Sequence, residues 1–84
     1  MAKRDAAEVA SHQIVRHLAA ERKRKGMSMN VLASRAAVSQ SFISMLESSQ
    51  HVPSLTTLLR IAHALELDLT PMLREAQQLI RECK

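Results

Sequence analysis

Residues that start or stop helices divide this chain into lengths that helices fill and strands do not. Asp5 stands three residues before Glu8, the spacing of a capping box. Ser28, Ser39 and Ser54 each precede an apolar run, where a side-chain oxygen can accept from a free first-turn amide. Thr70-Pro71 reads as an N-cap followed by proline at the first helical position. Gly26, the one glycine, follows the first run, where a left-handed residue ends a helix with least strain. Within these limits the apolar residues step by three or four. Ala7, Ala10, Ile14 and Leu18 line a first helix that runs to Gly26. A second runs from Ser28 to about Ala36, with Leu32 and Ala33 inward, and a third from Ser39 to near Ser48, with Val38, Ile43 and Leu46 inward and Phe42 flanking. After a polar loop ending at Pro53, a fourth carries Leu55, Leu58, Leu59, Ala62 and Leu65. A fifth carries Met72, Leu73, Ala76, Leu79, Ile80 and Cys83 on one stripe. The predicted class is all-α with five helices.

Composition narrows the class further. The chain has 84 residues, which reads as one domain spanning 1–84. One glycine, two prolines and a single aromatic residue are too few for the turns and pleated faces of a sandwich or barrel. No apolar run approaches the ~18 residues of a membrane helix. The start, Met1-Ala2-Lys3-Arg4-Asp5, is polar where a signal peptide would be apolar, so the expected location is cytoplasmic. A lone cysteine, Cys83, forms neither an internal disulfide nor a multi-thiolate metal site. His12, His17 and His63 are scattered, and the i,i+5 spacing of the first two suits no shared metal. No glycine-rich phosphate loop and no nucleophile–base pair is visible. An enzyme, a metal and a cofactor are therefore not expected.

The net charge is +4, and all of the excess lies in residues 1–25. Arg22, Lys23, Arg24 and Lys25 are consecutive. Such a run can attract a polyanion, and it can equally be a solvated helix end that complements the dipole. The second and third helices, separated only by Ala37 and Val38, form a helix-turn-helix. Ala33 is small where the two must approach. The outer face of the third helix presents Gln40, Ser41, Ser44, Met45 and Ser48, a face without charge and with short hydrogen-bonding groups. Glutamine can bond adenine N6 and N7 together, serine suits several base edges, and an apolar tip can touch a thymine methyl. Serine and glutamine are also ordinary exposed residues, so this face does not decide the function alone.

Arg22-Lys23-Arg24-Lys25-Gly26-Met27-Ser28, then Leu32-Ala33, then Val38-Ser39-Gln40-Ser41-Phe42-Ile43-Ser44-Met45-Leu46-Glu47 follow one another in a telling order. Pro53-Ser54-Leu55, Leu58 and Ile61-Ala62-His63-Ala64-Leu65 continue it. Over roughly residues 11–73 the chain resembles the Cro/C1-type, xenobiotic-response-element-like helix-turn-helix repressor family. The resemblance implies base reading by Gln40, Ser41, Ser44 and Met45. It implies a structural ion pair between Arg22 and Glu47. It places DNA-backbone contacts at Ser28 and the first turn of the second helix, where amides and dipole favour an anion. Arg16, Lys23, Arg24, Met29, Arg35, Ser39, Ser48, Gln50 and His51 are the further backbone positions. Met29 departs from the family pattern, in which a glutamine touches phosphate; methionine cannot donate. Ala37 stands where glycine is frequent, and Ser48-Ser49 where a polar residue and glycine are usual.

The stripe Met72, Leu73, Ala76, Leu79 and Ile80, within residues 70–83, has two placements: packed back on the fourth helix, or across a two-fold interface. Its extent beyond the need of a small domain favours a homodimer, which would set two recognition helices about 34 Å apart on an inverted repeat. The expected function is sequence-specific regulation of transcription on double-stranded DNA, as a repressor, a controller or, through contact with RNA polymerase, an activator. A protein–protein adaptor or antitoxin with weak DNA binding is the alternative. No small-molecule ligand is expected.

Overall fold

The computed structural model describes residues 5–82. Its elements are α1 (Ala6–Arg24), α2 (Met29–Ala36), α3 (Gln40–Glu47), α4 (Leu55–Ala64) and α5 (Thr70–Glu82). Met1–Arg4, with the basic Lys3 and Arg4, and Cys83 of the predicted stripe lie outside the described residues.

The serine caps form as their spacing predicts. Ser28, Ser39 and Ser54 accept from the amides of Val31, Phe42 and Thr57, each at 3.1 Å. Each such cap contributes about 1 kcal/mol. The predicted capping box at the start of α1 takes a different form. Asp5 accepts from the Ala7 amide, and the Glu8 carboxylate lies 3.7 Å from His12 Nε2 on the next turn. The cap of α5 also moves. Thr70 is the first helical residue and Asp68 accepts from its amide at 3.0 Å, so a carboxylate two residues upstream satisfies the free donor. Those bonds from Thr70 hold the Asp68 carboxyl below its ordinary range.

The helix stops are more uniform than the sequence indicates. Gly26, Ala37, Ser49 and Glu66 all have positive φ, at 69, 60, 63 and 55°. At each, the amide bonds the carbonyl three back, and the next amide bonds the carbonyl five back. This is the Schellman arrangement, repeated at the ends of α1 to α4. Met27, Val38 and Leu67, the residues that follow three of these positions, pack against the core, which anchors the stops. Only one of the four left-handed residues is glycine, so the other three hold a strained backbone. Ala37→Gly is expected to raise unfolding stability by about 1 kcal/mol, measured by chemical denaturation. An unchanged or lowered stability would show that the turn is not strained.

α1 packs against α3, α4 and α5, and α2 packs against α3 and α4. Leu32, Ile43, Leu46 and Leu65 are the most deeply buried large side chains, with Leu65 fully enclosed. Three predicted core positions fall outside. Ala7 is exposed because the first turn of α1 precedes the packed stretch that begins at Ala10. Leu55 and Leu59 are 59% and 52% exposed, because the buried residues of α4 are Leu58, Ile61, Ala62 and Ala64. Helical spacing admits both faces, and the neighbours choose one. The α5 stripe packs on α1, not on α4. Met72, Ala76 and Leu79 close a crevice against Ala10, Ile14 and His17 of α1. His17 Nε2 and Glu75 Oε2 lie 3.6 Å apart across that seam. No helix among the described residues is long and apolar enough to cross a membrane.

Candidate nucleic-acid interface

The α2–α3 unit rests on a buried floor. Leu32, Ala33 and Ala36 of α2 meet Ile43 and Leu46 of α3 in the core, so the opposite side of α3 faces outward. Ala37 turns the chain in the left-handed conformation, Val38 tucks against the core and Ser39 caps the next helix. Gln40, Ser41 and Ser44 are exposed and Met45 is half-buried. The four predicted base-reading residues are thus brought to one outer surface of one helix, without a charge among them.

An ion pair fixes how that helix sits. Arg22 Nε donates to Glu47 Oε2 at 2.7 Å and its Nη2 donates to Oε1 at 2.9 Å, a bidentate pair from α1 to the end of α3. Arg22 Nη1 donates to the Met27 carbonyl at 2.8 Å. The side chains are only 9% and 12% exposed. The Glu47 carboxylate holds the guanidinium above its ordinary range. Lys25 adds a second tie, since its Nζ donates to the Leu65 carbonyl at 2.6 Å and joins the end of α1 to the end of α4. Nothing in the sequence signals this contact across 40 residues.

The predicted backbone positions separate into groups. Ser28 caps α2, whose first amides have no helical partner and are the available anion donors. Lys23 is exposed on the last turn of α1. Arg24 is already engaged by Glu21, with Nε to Oε1 at 3.0 Å and a second bond from Nη2 to Oε2. That bond holds the Glu21 carboxyl below its ordinary range and the Arg24 guanidinium above. The i,i+3 spacing of Glu21 and Arg24 was a usable sequence signal for it. Arg16 is exposed on α1 beside Gln13 and His17. Arg35 opens on a broad cleft with Ser28, Val31, Lys25 and Glu66. Ser39 Oγ is occupied by its cap bond. Ser48 Oγ donates back to the Ser44 carbonyl at 2.9 Å and accepts from Gln50 Nε2 at 3.0 Å. His51 stacks at a tilt on Phe42, with ring centres 5.7 Å apart, which ties the loop to α3. Met29 Sδ accepts from Gln40 Nε2 at 3.6 Å.

Among known proteins, the helix-turn-helix family model matches residues 18–72, from the middle of α1 into α5 and through both helices of the motif. The chain belongs to the Cro/C1-type helix-turn-helix family. It is a DNA-binding helix-turn-helix regulator, and its partner is double-stranded DNA. Neither the curated proteins nor the solved structures include a match. The family is one of DNA-binding regulatory domains, generally without catalytic activity. Among the described residues of this regulator, no cluster of three His, Cys, Asp or Glu side chains is placed to hold a metal ion.

Proposed function

We propose that this regulator represses or controls transcription as a homodimer bound to a short inverted repeat. The observation that carries the reading is the exposed, uncharged outer face of α3, held on a buried floor by the Arg22–Glu47 pair. A helix that presents an uncharged face to the major groove gains little from phosphates and must draw on base edges. Gln40 and Ser41 at its start, then Ser44 and Met45, are the readers. Phosphate contacts fall to the first amides of α2 and to Lys23, with Arg35, Gln50 and His51 at the margins. Repression follows from occupying a promoter and needs no contact with RNA polymerase.

Dimerisation draws on the apolar side chains left exposed. On α5 that is Ile80, at 40% exposure, since the rest of its stripe lies against α1 or the core. Val31, Val52, Leu55 and Leu59 are the other exposed large apolar side chains among the described residues. Ile80→Asp is expected to convert the dimer to monomer in sedimentation and to weaken DNA binding. If Ile80→Asp stays dimeric while the joint change Leu55→Asp and Leu59→Asp dissociates it, the interface lies on α4 instead.

Selection of bound duplexes from a random pool tests the whole reading. The expected product is a two-fold symmetric site with half-sites about 10 base pairs apart. Log affinity should fall with log salt by about 0.9 per neutralised phosphate. An adaptor on the same fold is the second reading. It is favoured by Arg24 being paired to Glu21 and by the exposed Val52, Leu55 and Leu59. Duplex binding that stays weak even at low salt would establish it in place of the first.

A further inference from the structure

Gln40 opens α3 and Met29 opens α2, and their side chains meet, with Gln40 Nε2 3.6 Å from Met29 Sδ. A thioether sulfur accepts a hydrogen bond and cannot donate one. The contact therefore distinguishes the two ends of the Gln40 amide. Its nitrogen is the end that meets the sulfur. Met29 is half-buried and packs against the core, so the sulfur is held while the Gln40 side chain is exposed. We propose that Met29 is a positioning residue for base recognition, which holds the Gln40 amide in the one orientation that selects adenine over guanine. This rests on Gln40 being a base reader.

The chemistry follows from the hydrogens on the amide nitrogen. Reading adenine requires that the one anti to Oε1 meets the Met29 sulfur. The other lies on the same edge as Oε1, and the two form a donor beside an acceptor. Adenine offers an acceptor at N7 and a donor at N6, which that edge satisfies in full. Guanine offers acceptors at both N7 and O6, so Oε1 would face O6 without a proton between them. A glutamine at position 29 could meet either end of the Gln40 amide, because a carboxamide both donates and accepts. A leucine would hold neither end. The same methionine that cannot serve as a phosphate donor thus serves recognition through its one-sided hydrogen bonding.

The test compares the unmodified protein, Met29→Leu, Gln40→Ala and the double variant on the selected duplex and on its adenine-to-guanine derivatives. Met29→Leu nearly conserves packing volume, and thermal melts establish that each variant is folded. Met29→Leu is expected to reduce adenine-over-guanine preference at one position by roughly two- to tenfold, the worth of an ordinary hydrogen bond. Affinity for random duplex should stay unchanged, and Met29→Leu should have no further effect in the Gln40→Ala background. In the free protein, the Gln40 side-chain amide should become more mobile in Met29→Leu by nitrogen-15 relaxation. Retention of full preference in Met29→Leu, with Gln40→Ala abolishing it, overturns the positioning role alone. An equal loss in both backgrounds also overturns it, because Met29 would then act without Gln40. If Gln40→Ala itself changes no base preference, the base-reading assignment falls and takes the proposal with it.

Discussion

Glu47→Ala is expected to lower the unfolding free energy by about 3–5 kcal/mol, because it leaves the Arg22 guanidinium enclosed without its counter-charge. The guanidinium makes three bonds, two to Glu47 and one to the Met27 carbonyl, and its side chain is only 9% exposed. Small domains carry about 5–15 kcal/mol of stability in total, so the loss is a large share. A melting temperature lower by on the order of 20 °C follows from the usual 4–8 °C per kcal/mol at this size. Circular dichroism melts measure it. Replacing both partners at once, Arg22→Met with Glu47→Leu, should recover most of the loss, since the expense lies in the unpaired charge. A single Glu47→Ala variant that melts within a few degrees of the parent would place the pair among weak surface bridges.

Gln40→Ala is expected to act on recognition and leave the fold nearly unchanged. Gln40 is exposed at the first position of α3, and the cap that starts this helix comes from Ser39, not from Gln40. Loss of a bidentate base contact should weaken the selected site by about 1–3 kcal/mol and relax preference at one base pair. Random duplex should bind as before. Fluorescence anisotropy on the two duplexes at one fixed salt concentration separates these outcomes. An equal loss on both would remove Gln40 from base reading and assign it to general attraction. Lys23→Ala provides the contrast, with a uniform loss and a shallower salt dependence if Lys23 meets phosphate.

Helix number and class were legible because their signals are local. A cap acts across three residues and a turn of helix across four, so Ser28, Ser39 and Ser54 mark their helices in any compact arrangement. The order of motifs around Leu32-Ala33 and Val38 through Glu47 also carried the family, which the match over residues 18–72 bears out. The left-handed stops were legible directly at Gly26, and at Ala37 and Ser49 only through the family pattern, which carries glycine there. At Ser49 and Glu66 the side chain gives no sign, and the conformation is imposed by the packing of the chain beyond it.

Which stretches are helical, which helix presents an uncharged outer face and where the excess charge accumulates all follow from the order of the amino acids. These depend on spacing of a few residues and on side-chain type. The tertiary structure alone decided which polar and apolar groups remain open. Lys25 is tied to the Leu65 carbonyl and Gln40 Nε2 meets Met29 Sδ. His51 lies on Phe42, and the α5 stripe lies on α1. Periodicity assigns a side chain to a face, and only the approach of a distant segment determines what that face meets. Whether a group engages its own chain or a partner is therefore fixed at the level of packing.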